Sequence, residues 1–355
     1  MARASIELYR KTIGIGHPVF IIAEAGSNHN GDLDTAIRLI DIAAEAQADA
    51  IKFQTFKARR LYPESAGTSD YLGSATPIFD IIEALEMPDN WLPTLAEHAH
   101  ERDLAFISSV FHEEAVELLR PFVDAYKIAS YELTHVPLLR AVGRAGKPVI
   151  FSTGAATLEE ARSASDCLQA AGCRELIALQ CTAAYPAPPE RANVRIVETL
   201  ARELGLLSGL SDHTRDPTAA PMAAAALGAV VIEKHFTLSN RLPGPDHAFA
   251  VEPDELARLV QAVRRVEAVL GSSEKTVESE EEELFAFARR SIFATRDIQS
   301  GEPFTQDNVD VLRNGKLGPG LAPVELDRVL RSVASHDLST ERPLQESDIA
   351  LSRDA

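Results

Sequence analysis

The sequence predicts an α/β fold, a (β/α)8 barrel (the TIM-barrel architecture) followed by a small second domain, and three observations predict it. Eight short apolar, β-rich runs occur between Pro18 and Gly271. Amphipathic helical runs separate them at barrel-like intervals. The strand candidates are also apolar throughout until their last few positions, as expected of parallel strands covered by helices.

The strand candidates are, in order, "VFIIAEAG", "AIKFQTF", "AFISSVF", "AYKIASYE", "PVIFSTG", "LIALQCTAAYP", "LLSGLSDHT" and "VVIEKHFT". Helical patterns include "LDTAIRLIDIAAEAQ", "HEEAVELLRPF", "LEEARSASDCLQAAG", "VRIVETLARELG" and "PDELARLVQAVRRVEAVLG". Residues 1–271 therefore read as the barrel. Residues 272–288, "SSEKTVESEEEE" and its continuation, read as an acidic linker or exposed helix start. Residues 289–355 read as a small domain of short β runs with turn signals at Ser300-Gly301, Asn314-Gly315 and Pro319-Gly320.

Composition narrows the function classes. The chain has 355 residues, 45% hydrophobic and 25% charged, the balance of a globular protein. A net charge of -18 argues against a nucleic-acid surface or a polybasic membrane patch. It also requires that any anionic substrate be met by locally placed cations. No apolar run reaches the ~18 residues of a membrane span, and "MARASIELYRKTIG" lacks the apolar core of a secretory signal. Cys167, Cys173 and Cys181 form no CxxC pair, so reduced thiols and a cytoplasmic location are expected.

Barrel chemistry gathers where strands end, and every strand candidate turns polar there. The polar ends are Glu24, Lys52 and Gln54, Lys127 with Ser130 and Glu132, and Ser152 and Thr153. They continue with Thr182 and Tyr185, Ser211 with Asp212 and His213, and Glu233 with Lys234 and His235. His235 follows His213 by 22 residues, about one strand–helix repeat. Adjacent strands lie ~4.8 Å apart, so both imidazoles can reach one divalent ion, or they form a hydrogen-bonded polar pair. Lys52 and Lys127 suit a phosphate and carboxylate, a Schiff base, or salt bridges to Glu24 or Glu132. Ser130, Ser152 and Ser211 suit a hydroxyl cradle for phosphate oxygens, although serines at strand ends are also ordinary turn chemistry.

"FIIAEAGSNHNG", "KFQTF", "YKIASYE", "STG", "CTAAYP", "GLSDHT", "EKHFT" and "LPGPDH" occur in this order. Together they resemble the sialic acid synthases, which join phosphoenolpyruvate to an N-acyl hexosamine. The tail resembles their antifreeze-like (SAF) domain. The resemblance implies that His213 and His235 ligate a divalent metal, Mn2+ first, with Mg2+ and Co2+ as alternatives. It assigns Lys52, Lys127, Ser130, Ser152 and Ser211 to phosphoenolpyruvate, and Glu24, Gln54, Glu132, Tyr185 and Asp246 to the acceptor sugar and its aldehyde. Glu24, Glu132 and Gln54 are the expected catalytic set. Arg313 matches an arginine that reaches the partner's site in a domain-swapped homodimer.

Two departures bear on the acceptor. "CTAAYP" has Ala183 where some members carry an amide, and "LRNGKLGPG" lengthens the loop after Arg313. The implied reaction is N-acetylneuraminate synthesis from N-acetylmannosamine with release of phosphate. Pseudaminic or legionaminic acid synthesis from a 2,4-diacetamido hexose is the alternative, as is N-acetylneuraminate-9-phosphate synthesis. A deoxy-aldulosonate synthase, a metal-free Schiff-base aldolase and a non-catalytic glycan- or ice-binding protein are the competing classes.

Overall fold

The computed structural model describes residues 5–69 and 75–351. The chain divides into two compact units, Met1–Gly271 and Ser272–Ala355.

The first unit opens with an antiparallel hairpin, β1 (Ser5–Leu8) and β2 (Lys11–Gly14). Eight parallel strands follow: β3 (Phe20–Gly26), β4 (Ala50–Thr55), β5 (Ala105–Val110), β6 (Ala125–Ile128), β7 (Val149–Ser152), β8 (Leu176–Cys181), β9 (Leu207–Asp212) and β10 (Val231–His235). They close into a barrel in chain order, with β10 pairing back onto β3 so that His235 stands opposite Glu24. Each expected strand is present, but several stop sooner than their apolar runs. The fourth ends at Ile128, and Ser130–Glu132 form a 3-10 turn. The seventh ends at Asp212, which leaves His213 on the loop just beyond.

The helices of this unit are α1 (Leu33–Glu45), α2 (Ala58–Leu61), α3 (Ile78–Ala84), α4 (Leu92–Glu101), α5 (Glu113–Leu119), α6 (Val136–Arg144), α7 (Leu158–Ala171), α8 (Ile196–Leu204), α9 (Ala219–Ala226) and α10 (Pro253–Leu270). Local chemistry sets their ends. Asp32 caps α1 by accepting from the Asp34 amide, and Thr157 forms a reciprocal capping box with Glu160 at α7. Gly205 takes a left-handed conformation after α8, where a side chain would be strained.

Alternation along the strands builds two cores. Residues such as Ile21, Ala23, Ile51, Phe53 and Phe106 face outward and pack under the helices. Phe20, Ile22, Ala50, Ile107, Ile150 and Ile177 face inward and fill the lower barrel. Ile6, Leu8 and Ile13 of the hairpin join this inner core and seal the N-terminal end. The sequence reading treated that segment only as a non-signal N-terminus.

The second unit contains α11 (Glu282–Phe287), inside the stretch expected to be an acidic linker, preceded by a 3-10 turn at Ser279–Glu281. Antiparallel pairs β11 (Arg290–Ala294) with β12 (Val309–Arg313), and β13 (Ser332–Ala334) with β14 (Ile349–Leu351), flank α12 (Leu326–Val329). Its core comprises Ile292, Ile298, Phe304, Val309, Val329, Leu338 and Leu344. The unit contains an internal repeat. The Ile298 and Leu338 backbones exchange hydrogen bonds in both directions. Asp337 accepts from the Ser300 amide and Asp297 from the Thr340 amide, each at 2.8 Å. Equivalent residues lie 40 positions apart, too few and too varied for the repeat to stand out as a motif.

Two predictions follow from this packing. Gly209 lies between β9 and β10, where an added Cβ would sit 2.1 Å from the Val231 carbonyl oxygen. Gly209→Ala should therefore lower stability by about 2 kcal/mol or more in urea unfolding. His29 is fully buried, its Nδ1 accepts from the Gly31 amide, and its ring meets Trp91 edge-on at 5.5 Å. Burial pushes its pKa down to about 4 from 6.5. The unfolded chain thus takes up a proton below pH 6.5 that the fold excludes, and stability falls from there toward pH 4 by up to about 3 kcal/mol. In His29→Leu that portion of the acid loss should disappear; an unchanged slope against pH would refute the assignment.

Candidate active site

The upper barrel interior is polar because the inward-facing rows change character near the strand ends. On β4 the inward row continues from Ala50 to Lys52 and Gln54; on β10 it continues from Val231 to Glu233 and His235. Together with the ends of the other strands they line a pocket of about 270 Å³ at the C-terminal mouth. Glu24, Gln54, Lys52, Lys127, Ser130, Glu132, Ser152, Tyr185, Ser211, His213, His235 and Asp246 all border it. Arg313 ends β12 in the second unit and is exposed.

A buried ion cluster forms the floor. Lys52 Nζ lies 2.9 Å from Glu24 Oε2 and 3.6 Å from Glu233 Oε1, and donates to Ser109 Oγ at 3.0 Å. Lys127 Nζ donates to Ser152 Oγ at 2.6 Å and lies 3.8 Å from Glu233 Oε1. Ser211 Oγ donates to the same Glu233 oxygen at 3.0 Å, and Gln54 Nε2 donates to Glu24 Oε1 at 2.8 Å. Ser130 Oγ accepts from the Gly154 amide at 3.0 Å.

Electrostatics follow from burial and pairing. Burial raises the Glu24 pKa to about 7, with Lys52 opposing the shift. For Glu233 burial also acts upward, but Lys127 and Lys52 outweigh it and hold the carboxyl below its usual value. Burial lowers Lys127 despite Glu233, whereas at Lys52 the attraction of Glu233 and Glu24 outweighs burial and raises it. Burial lifts Asp246 to about 6 and also raises Glu132.

His213 and His235 stand side by side, ring centroids 5.3 Å apart. Burial takes His213 down to about 4 and His235 well below its usual value, so both are neutral at pH 7. His213 Nδ1 lies 2.9 Å from the Thr182 carbonyl, which can only accept, so Nε2 keeps its lone pair. His235 Nδ1 is buried without a hydrogen bond from the described residues, and Asp246 Oδ2 lies 3.6 Å from it. Among the described residues no three His, Cys, Asp or Glu side chains group to hold a metal ion. The chain thus offers two neutral nitrogens, a donor set that fits a divalent ion with open positions.

Some residues divide differently from the expectation. Lys52 pairs with Glu24, as the salt-bridge reading had it, but its second carboxylate is Glu233 rather than Glu132. From the sequence Glu233 stands among the polar strand ends without an assigned role, and Ser109 and Cys181 carry no expectation at the site. The signal for Glu233 was its position two residues before His235, on the same strand face. Lys234 and Asp212, from the same motifs, face away from the pocket and form a buried ion pair at 2.6 Å. Lys234 also donates to the Asp216 carbonyl at 3.1 Å and to that of Thr214, which ties the loop after β9 to β10. Asp246 reaches the mouth because Gly26, at φ +55°, has no side chain; a Cβ there would meet Asp246, Gln54 and Glu24 within 3.5 Å.

Comparison with known proteins identifies the family. The model of the NeuB family matches residues 39–275, and that of the SAF domain matches residues 289–350. The spore coat polysaccharide biosynthesis protein SpsE of Bacillus subtilis (strain 168) is 42% identical, over 98% of both chains. The N,N'-diacetyllegionaminic acid synthase of Legionella pneumophila is 38% identical over 93% of this chain and 94% of its own. Among solved structures, the N-acetylneuraminic acid (sialic acid) synthetase of Leptospira borgpetersenii superposes with a TM-score of 0.72 at 33% identity. That match covers 80% of this chain and 96% of the other. The chain belongs to the NeuB family, a (β/α)8 barrel followed by a SAF domain.

Proposed function

We propose that this protein is a phosphoenolpyruvate-dependent nonulosonate synthase, joining phosphoenolpyruvate to N-acetylmannosamine or a 2,4-diacetamido hexose with release of phosphate. The observation that carries the reading is the buried pair Lys52 and Lys127, set among serine hydroxyls on a pocket floor, in a chain of net charge -18. Cations so placed suit a small, highly charged anion. Relatives named as legionaminic, pseudaminic and sialic acid synthases support both acceptors. Three free thiols suit a reducing, cytoplasmic setting.

In this reading Lys52, Lys127, Ser130, Ser152 and Ser211 hold the phosphate and carboxylate. Tyr185 and Asp246 border the acceptor, and Gln54 fixes the Glu24 carboxyl. C3 of the enol attacks the aldehyde carbon, and the aldehyde oxygen takes a proton. Water adds to the resulting oxocarbenium at C2 and gives up a proton. The C2–O bond to phosphate then breaks as the C2 hydroxyl passes its proton to the leaving phosphate, giving a 2-keto acid and inorganic phosphate. Glu24, with a pKa of about 7, can give or take a proton near neutrality. Glu132, half-buried on the 3-10 turn, is the second proton carrier. A divalent ion held by His213 and His235, Mn2+ first, supplies Lewis-acid polarisation of the aldehyde oxygen when bound. By the resemblance, Arg313 serves acceptor binding in a partner's site within a homodimer.

Metal-stripped protein given phosphoenolpyruvate and either acceptor should release no phosphate, and added Mn2+ should restore release together with a nine-carbon 2-keto acid. Borohydride trapping of Lys52 or Lys127 by a ketone would instead indicate an aldolase, and sugar binding without phosphate release a binding protein. Glu24→Gln should reduce kcat by about 10²–10⁴-fold with little change in KM for phosphoenolpyruvate. Arg313→Ala should raise KM for the acceptor selectively; equal loss for both substrates would count against its assignment.

A further inference from the structure

The motifs "GSNHNG", "EKHFT" and "LPGPDH" meet at a point outside the pocket. The segment from Thr237 to Ala250 joins β10 to α10 without a helix or strand of its own. Among the described residues, no amide from Gly244 to Phe249 donates to a backbone carbonyl, so side chains must hold this stretch in place. His247, of "LPGPDH", is its buried centre, 1% exposed. His247 Nδ1 lies 2.6 Å from Thr237 Oγ1, of "EKHFT", and Nε2 lies 3.2 Å from Asn30 Oδ1, of "GSNHNG". None of these residues lines the pocket.

The hydrogen bonds run in one direction. Asn30 Nδ2 donates to the Pro243 carbonyl at 3.0 Å, which fixes the amide so that Oδ1 faces the imidazole. An amide oxygen only accepts, so His247 carries its proton on Nε2 and donates there. Nδ1 is then the acceptor, and Thr237 Oγ1 turns its proton to it rather than to the Ser239 carbonyl at 3.2 Å. Burial lowers the His247 pKa and so favours the neutral ring. One exposed side chain, Asn30, thus grips both the Pro243 carbonyl and the His247 ring. Asn240 closes the other side, its Nδ2 donating to the His247 carbonyl at 2.6 Å and to that of Ala250 at 2.8 Å. Gly244 lies against the ring, where a Cβ would be 2.8 Å from His247 Cδ2.

The neighbours of His247 reach the pocket that it does not. Asp246 lines the mouth, with Oδ2 3.6 Å from His235 Nδ1. The Phe249 ring packs 5.2 Å from those of His235 and Tyr185. We infer that His247, gripped by Asn30 and Thr237, is a positioning residue that holds the strap 243–249 so that Asp246 stands beside His235. This rests on the function proposed above, in which Asp246 borders the acceptor. Acceptor binding then depends on a hydrogen bond outside the pocket. With the strap freed, the Asp246 carboxyl turns toward water and must be ordered again when the sugar binds, a cost that enters KM.

The test measures phosphate release by the full-length protein with Mn2+, each substrate varied in turn, in Asn30→Gly, His247→Leu and His247→Gln. Position 30 is exposed, and its φ of +52° suits glycine, so Asn30→Gly removes the grip without strain or loss of core. Asn30→Gly and His247→Leu should each raise KM for the acceptor about tenfold and leave KM for phosphoenolpyruvate unchanged. His247→Gln, whose amide nitrogen can donate to Asn30 Oδ1, should recover most of that loss. In an Asp246→Ala background Asn30→Gly should add about twofold or less, because the group it positions is already gone. Where a His247 variant fails to fold, Asn30→Gly alone decides. An unchanged acceptor KM in Asn30→Gly, equal rises for both substrates, or the full loss repeated in the Asp246→Ala background overturns the inference while the function stands. A wild-type chain that releases no phosphate with N-acetylmannosamine or a 2,4-diacetamido hexose overturns the function, and the inference with it.

Discussion

Two lysines and two glutamates buried together inside the barrel set the terms for the rest of the site. Alone, any one of Lys52, Lys127, Glu24 or Glu233 would neutralise in so dry a place. Together they hold one another, with Glu233 shared between both ammonium groups and steadied by Ser211. The balance is uneven. Glu24 is pushed toward its protonated form and Lys127 toward its neutral one, while Lys52 and Glu233 are held charged. The cluster therefore contains a carboxyl able to take up a proton near neutral pH.

The barrel makes this cluster tenable by separating its interior into layers. Below, Phe20, Ile22, Ala50, Ile107 and Ile177 form a dry plug that the N-terminal hairpin closes. Above, the same inward rows carry the ionic groups. The outward rows do different work, and the Asp212–Lys234 pair shows it. Both residues sit in motifs that look functional, yet they fasten the loop after β9 to β10. A charged residue in a conspicuous motif is assigned by the face it occupies, and on a strand that face changes at every residue.

The ionic and apolar linings of the pocket also come from different places. The groups able to move protons, hold anions and offer imidazole nitrogens come from the strands themselves or the residue just after them. The apolar lining comes from loops and short helices above β4 and β5 and the turn after β6. Rigid strands hold the reactive groups in register, while loop residues can vary without disturbing that register.

Much of this was legible in the sequence, because apolar alternation, helix caps and polar strand ends are local signals that survive without coordinates. The eight strands, the eight-fold repeat and the histidines 22 residues apart needed only that periodicity. What it could not show was which side chains meet. Glu233 became the central carboxylate only because β10 closes onto β3 beside Lys52, and Glu132, one of the two lysine partners expected, lies instead on a 3-10 turn where the strand stops early. The hairpin plug and the internal repeat of the second unit were hidden for a related reason: they are pairings between short segments whose individual patterns are weak. The sequence alone determined the order of the strands and the chemistry available at their ends. Tertiary structure decided which charges neutralise one another, because ion pairing and burial depend on distances set by barrel closure and not by separation along the chain.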